Sequence, residues 1–119
     1  MSDRDTTADL SADLTAADLW SGIDSLWAWL DSQHPVGGQD PLLLRMLKLS
    51  EEVGEVAQAV IGTTGQNPRK GTTHTWEDVQ AELCDVVITA LVALRTLTPD
   101  TREVFDRHLR RVLERSLER

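Results

Sequence analysis

Two stretches of this chain carry the same pattern, and few folds can use it. In the first, Leu42, Met46, Leu49, Val53, Val56 and Val60 recur at alternating steps of four and three, the spacing that lines apolar side chains along one stripe of an α-helix. In the second, Val79, Leu83, Val86, Ala90 and Ala93 do the same. Each stripe is flanked by an acidic pair at i, i+3: Glu52 with Glu55, and Glu82 with Asp85. At about 100° of rotation per residue, Glu52 lies about 60° to one side of Leu49 and Glu55 about 120° to that same side. Glu82 and Asp85 hold the same offsets from Val79. If the two helices pack antiparallel through their stripes, both pairs face one side; in parallel packing they face opposite sides. The connection from Gly62 to His74, extended at about 3.3 Å per residue, is long enough to run back along a helix, so length alone permits either arrangement. Sequential helices more often form an antiparallel hairpin, and the expectation is therefore an all-α fold in which four carboxylates converge.

Converging carboxylates raise one another's pKa and repel. A divalent cation relieves that cost, and all-oxygen carboxylate ligation suits magnesium or manganese; magnesium keeps water positions and is commonly shared with substrate phosphates. Glu52, Glu55, Glu82 and Asp85 are accordingly the candidate ligands for Mg2+ or Mn2+. A carboxylate-bridged di-iron bundle would require Glu-x-x-His on two helices, and none of His34, His74 or His108 stands at that spacing from the acidic pairs. Taken singly, either pair also reads as a solvated acidic face.

With their surroundings, Leu-Lys-Leu-Ser-Glu-Glu-Val-Gly-Glu-Val-Ala from Leu47 and Glu-Leu-Cys-Asp-Val-Val from Glu82, these motifs resemble the MazG-like all-α nucleoside triphosphate pyrophosphohydrolases. That family is known by E-x-x-E followed by E-x-x-D on two antiparallel helices. The likeness spans Trp20 to Leu97. It implies a four-helix bundle completed by oligomerisation, as a homodimer or dimer of dimers. It also implies magnesium-dependent hydrolysis of a nucleoside or deoxynucleoside triphosphate to the monophosphate and pyrophosphate, in the manner of nucleotide-pool house-cleaning. Glu52, Glu55, Glu82 and Asp85 would be both the catalytic and the metal-binding residues. Related enzymes often carry a lysine and an asparagine in the last helix that reach the substrate, and this chain has neither there. That departure leaves the substrate preference open. It also keeps a second class of function in view, a non-catalytic helical bundle serving as a protein-interaction or regulatory module.

The rest of the chain supplies the setting. At 119 residues it is expected to form one domain, with residues 1–14 a flexible acidic segment and residues 15–119 the helical domain. The net charge of −8 argues against a nucleic-acid polymer or an anionic membrane as partner, since both call for a basic face. The single cysteine, Cys84, precludes an intramolecular disulfide and suits a reducing compartment; it projects away from the acidic side and is expected to be a buried structural thiol. No basic segment followed by an apolar one opens the sequence, and no apolar run has the length of a membrane span, so a cytoplasmic protein is expected.

Helix boundaries are legible from their caps. Thr15 with Asp18, and Thr75 with Asp78, have the form of capping boxes; Asp40-Pro41 reads as a cap followed by a first-turn proline. The helices are expected over Thr15 to Asp31, Pro41 to Ile61, Thr75 to Thr96, and from Thr98-Pro99 onward. Val86 to Leu94 is apolar on nearly every side, which predicts burial on more than one face. Trp20 and Trp27 are expected in the core.

Candidate substrate contacts lie on three segments. Lys48, one turn before Glu52, can form an i, i+4 ion pair or meet a substrate phosphate. The connection after the first acidic helix holds Asn67, Arg69 and Lys70, a guanidinium and an ammonium of the kind triphosphate oxygens select, or a solvated basic turn. Trp29 offers a flat surface for a nucleobase or a subunit contact. His34 sits in the segment that helps shape the base pocket in the resembling family, and otherwise reads as a solvated loop histidine.

Overall fold

Side chains take over the unpaired backbone groups at the helix ends. The computed structural model describes residues 13–33 and 41–117. Within them run α1 (Ala16–Ser32), α2 (Pro41–Thr64), α3 (Trp76–Leu97) and α4 (Thr101–Leu117); no strand occurs among the described residues. At α1 the Thr15 hydroxyl accepts from the Asp18 amide at 3.1 Å while the Asp18 carboxylate accepts from the Thr15 amide at 3.0 Å. Thr75 and Asp78 repeat this reciprocal pair at 3.2 and 2.9 Å ahead of α3, as the capping-box spacing predicts. The Asp40 cap, His34 and nearly all of the acidic N-terminal segment lie outside the described residues.

α2 runs past its expected end at Ile61, and Gly62 lies inside it. The actual terminator is Gly65, at φ 65°, with the Gln66 amide donating to the Ile61 carbonyl at 3.2 Å. This is a Schellman ending, for which the left-handed position after the helix favours glycine. Gly62 serves a different purpose. The Thr73 amide donates to its carbonyl at 2.9 Å, and a Cβ there would overlap the His74 ring and lie 2.5 Å from Thr73 Oγ1. The returning chain needs that space to enter α3.

Three contacts fix the direction of packing. Gly62 meets Thr73 and His74 at one end, Glu52 meets Glu82 and Asp85 midway, and Arg45 and Lys48 share a cavity with Ile88, Thr89 and Val92 at the other end. As the α2 number falls the α3 number rises, so the pair is antiparallel. The helices do not meet on the centre of the α2 stripe, however. Buried positions on α2 are Glu52, Ala59 and Gly62, while Met46, Val53 and Val60 on the stripe remain 49%, 53% and 36% exposed. α2 is thus turned toward its acidic side, where small residues let the backbones approach, and the carboxylates lie in the contact rather than beside it.

α3 is the element the others lean on. None of residues 89–96 is exposed, because α1 covers this half from a second side, in line with its all-round apolar sequence. The α1–α3 contact is latched by Arg95, whose Nε donates to Asp24 Oδ1 at 2.8 Å while the guanidinium stacks 3.9 Å from the Trp27 ring centroid. A stacked cation of this kind contributes about 1 kcal/mol. Trp20 meets Phe105 of α4 edge to face at 5.8 Å, and the buried Thr101 hydroxyl donates to the Thr98 carbonyl at 3.0 Å where the chain turns. Trp20 and Trp27 are half-buried in these contacts. Cys84 is exposed rather than buried; α2 packs on the opposite side of α3, and no described helix covers the cysteine's face. No helix among the described residues is long and apolar enough to cross a membrane.

Replacing Gly62 with alanine should destabilise the fold by about 1–3 kcal/mol through overpacking at the hairpin. Gly22→Ala, in open space within α1, should stabilise it by up to about 1 kcal/mol by restoring helix propensity. Urea denaturation of the two variants checks both signs.

Candidate metal and substrate site

The i, i+3 spacing presents each acidic pair along one edge of its helix, and the antiparallel register brings the edges together. One carboxylate oxygen from each of Glu52, Glu82 and Asp85 lies within 4.8 Å of the other two. Glu52 is 7% exposed although charged. Its Oε1 lies 3.2 Å from Lys48 Nζ, while its Oε2 is buried without a hydrogen-bond partner, as is Glu82 Oε2. A buried carboxylate oxygen left unpaired is costly, and two such oxygens beside an exposed Asp85 form a half-closed oxygen donor set. A hard divalent cation would satisfy the donors, so these residues fit a metal ion on their own chemistry.

Glu55 completes the group from its edge. Its carboxyl is pushed above the ordinary 4.5 first by the negative charge of Glu52, then by desolvation, and further by the closeness and charge of Glu82. The repulsion expected among converging carboxylates thus shows at Glu55. Lys48 offsets part of it. Its ammonium bridges Glu51 at 3.1 Å and Glu52 at 3.2 Å, and these two carboxylates raise its pKa above 10.5, Glu51 contributing most. Lys48 is therefore in an ion pair, at the lip of the carboxylate group and half exposed. Glu51 stands outside that group, exposed and tied to the lysine.

The other anticipated substrate contacts are placed apart. Asn67 and Lys70 line a cavity of about 330 Å³ with Gln58, Gly62, Thr73 and His74 at the hairpin end. Ten residues of α2, about 15 Å at 1.5 Å per residue, separate Gly62 from Glu52. Arg69 is exposed, and its amide donates to Asn67 Oδ1 at 3.2 Å. The described contacts thus join neither loop cation to the carboxylates. Trp29 is 58% exposed on α1; His34 lies outside the described residues.

Sequence reasoning passed over Arg45. It lines a second cavity, of about 360 Å³, with Leu26 and Leu30 of α1, Lys48 of α2, and Ile88, Thr89 and Val92 of α3. Its Nε and Nη2 are buried without partners. The signal was present in the spacing, since Arg45, Lys48 and Glu52 stand at i, i+3 and i+7, one face of the helix.

No family model matches the chain, and no curated protein or solved structure matches it either.

If the carboxylates take up a cation, millimolar magnesium or manganese should raise the thermal midpoint at pH 7, and Glu82→Gln should abolish most of that rise. The pH dependence in chelator has a definite sign. Glu55 binds its proton more tightly folded than unfolded, so its contribution to stability declines as pH rises from 4.5 through its folded value. Urea unfolding across that range should show a slope that Glu55→Gln lacks and that saturating magnesium flattens.

Proposed function

We propose that this protein is a metal-dependent nucleoside triphosphate pyrophosphohydrolase of the MazG-like type, converting a nucleoside or deoxynucleoside triphosphate and water to the monophosphate and pyrophosphate. The observation that carries the reading is the convergence of Glu52, Glu82 and Asp85 across an antiparallel hairpin, with buried, unpartnered oxygens on Glu52 and Glu82. Glu55 stands at their edge, its proton affinity raised by them. These four side chains are the proposed catalytic and metal-binding residues, with magnesium the first choice and manganese the second. Bound there, such an ion supplies charge neutralisation on the triphosphate and lowers the pKa of a bound water.

The chain's own residues then divide the remaining work. Glu52, pinned through Oε1 by Lys48, keeps its Oε2 turned into the group without a mobile side chain having to find its place. Lys48 can exchange its pairing with Glu51 for a substrate phosphate, because the Glu51 partner is exposed and weakly held. The apolar cavity beside it is the proposed seat of the nucleoside. The loop group of Asn67, Arg69 and Lys70 remains a proposed phosphate contact only across a subunit boundary, since its own hairpin places it at the far end.

Oligomerisation belongs to the same proposal. Leu83 and Val87 of α3 are 50% and 57% exposed, Val53 of α2 is 53% exposed, and faces of this kind are commonly covered by a second subunit. We propose a homodimer or dimer of dimers.

The competing reading is a non-catalytic helical bundle acting as a protein-interaction or regulatory module. The last helix favours it, since α4 offers neither lysine nor asparagine toward a substrate.

Pyrophosphate release measured over the common nucleoside triphosphates should require magnesium. It should fall by at least about 100-fold in Glu52→Gln, Glu55→Gln, Glu82→Gln and Asp85→Asn, the upper range for losing even an outer-shell partner of a metal. Full activity in all four variants, or no release from any substrate by the unaltered protein, sinks the enzymatic assignment. Sedimentation should show a dimer or tetramer, and Leu83→Glu with Val87→Glu should shift it to a slower species.

A further inference from the structure

We infer that Arg45 selects the base, and that the nucleotides admitted are those whose base presents two adjacent hydrogen-bond acceptors on one edge: guanine through O6 and N7, or cytosine through O2 and N3. This rests on the pyrophosphohydrolase reading and names its substrate class. Its foundation is a separate observation, two buried and unpartnered guanidinium donors on a side chain that lines a cavity between three helices.

The two unpartnered atoms are Nε and Nη2. They carry the parallel N–H groups of one side of the guanidinium, the fork that meets two neighbouring acceptors at once. Both are buried, and no described side chain or carbonyl accepts from them. Buried donors left in this state are costly, and such an arrangement persists most readily where a ligand supplies the acceptors. Leu26 and Leu30 from one helix and Ile88 and Val92 from another give aliphatic walls to the cavity of about 360 Å³ that Arg45 lines, with Thr89 and Lys48 completing it. Lys48 is already engaged by Glu51 and Glu52, and the mainly aliphatic remainder suits a flat ring.

Position supports the same occupant. Arg45 precedes Glu52 by seven residues, about 10 Å along the helix axis at 1.5 Å per residue. Lys48 lies between them on the same face and lines the same cavity. A nucleotide with its base against Arg45 therefore directs its phosphates past Lys48 toward the carboxylates. A carboxylate ligand would also fit the fork, but Glu51 and Glu52 beside the cavity repel it; a neutral base with two acceptors carries no such penalty.

The fork discriminates by what the wrong bases present. Adenine places its amino donor beside N1 and beside N7, while its N3 stands beside C2–H with no second acceptor next to it, and uracil and thymine place the N3 proton between their two carbonyl oxygens. Each leaves one Arg45 donor unpaired or facing another donor. A bidentate arginine–base pair discriminates by about 5- to 150-fold, the fold equivalent of 1–3 kcal/mol.

The test has two arms. In the first, kcat/KM for pyrophosphate release with magnesium is compared across GTP, CTP, ATP, UTP and their deoxy forms, for the unaltered protein, Arg45→Met and Arg45→Lys. GTP or CTP should exceed ATP and UTP by at least about 5-fold, mainly through KM. Arg45→Met should erase the preference while still hydrolysing ATP, and Arg45→Lys, lacking the fork, should not restore it. In the second arm, calorimetry in chelator measures binding of GMP, CMP, AMP and UMP, where no hydrolysis occurs. The same preference should appear and vanish in Arg45→Met, whose unliganded thermal midpoint should be no lower than that of the unaltered protein, because two buried, unpaired donors have been removed. Hydrolysis of all bases alike, unchanged in Arg45→Met, overturns the inference and leaves the enzyme standing. Base-selective binding without any hydrolysis supports the inference and removes the enzyme. Absence of both overturns the two together.

Discussion

The structure depends on holding like charges together inside a helix contact. Glu52 is almost fully enclosed between α2 and α3, opposite Glu82 and Asp85, in a place where most helical hairpins would put leucine. Dispersing the charges would need only a modest rotation of α2 toward its apolar stripe, and that rotation would also bury Met46, Val53 and Val60. The fold does the opposite. Ala59 and Gly62 on the buried side let the helices approach there, and the Gly62 carbonyl accepting from the Thr73 amide pins the hairpin end at a register that keeps the carboxylates opposed. Lys48 and a raised proton affinity at Glu55 are the chain's own means of tolerating the result. Both are partial, which is why a cation is the natural complement.

Much of this was legible in the sequence, and the part that was not has a physical reason. The capping pairs Thr15–Asp18 and Thr75–Asp78 marked their helix starts because a reciprocal side-chain-to-backbone bond needs only local spacing. The doubled acidic pattern marked the residues that meet, because equal offsets from the two stripes put both pairs on one side of an antiparallel hairpin. What escaped was the rotation of α2 about its own axis. Apolar periodicity marks a stripe but not which edge of it turns toward the neighbouring helix, and here Val53 and Leu83 remain open. Gly62 was placed at the start of the connection rather than inside α2 for the same kind of reason. A glycine required by close approach and a glycine required by a left-handed turn look identical in sequence, and only Gly65 has the positive φ.

Cys84 and Arg45 show the limit from two sides. A cysteine amid apolar neighbours invites a buried assignment, yet its face of α3 is one that no described helix covers. An arginine one turn inside a helix invites a solvated assignment, yet its side chain turns in between three helices and leaves two donors unpaired. In both cases the residue's own character was outweighed by which side of its helix the neighbours happened to occupy, a property of tertiary arrangement that no window of adjacent residues contains.

The Arg95 latch has a further implication. Asp24 and Trp27 sit on the same α1 segment as Leu26 and Leu30, so the guanidinium that grips the first pair also governs how far the second pair stands off from Ile88 and Val92. The aperture is thereby tuned from its outer rim. Substitution at those rim positions widens or narrows the chamber while leaving every residue of its wall in place.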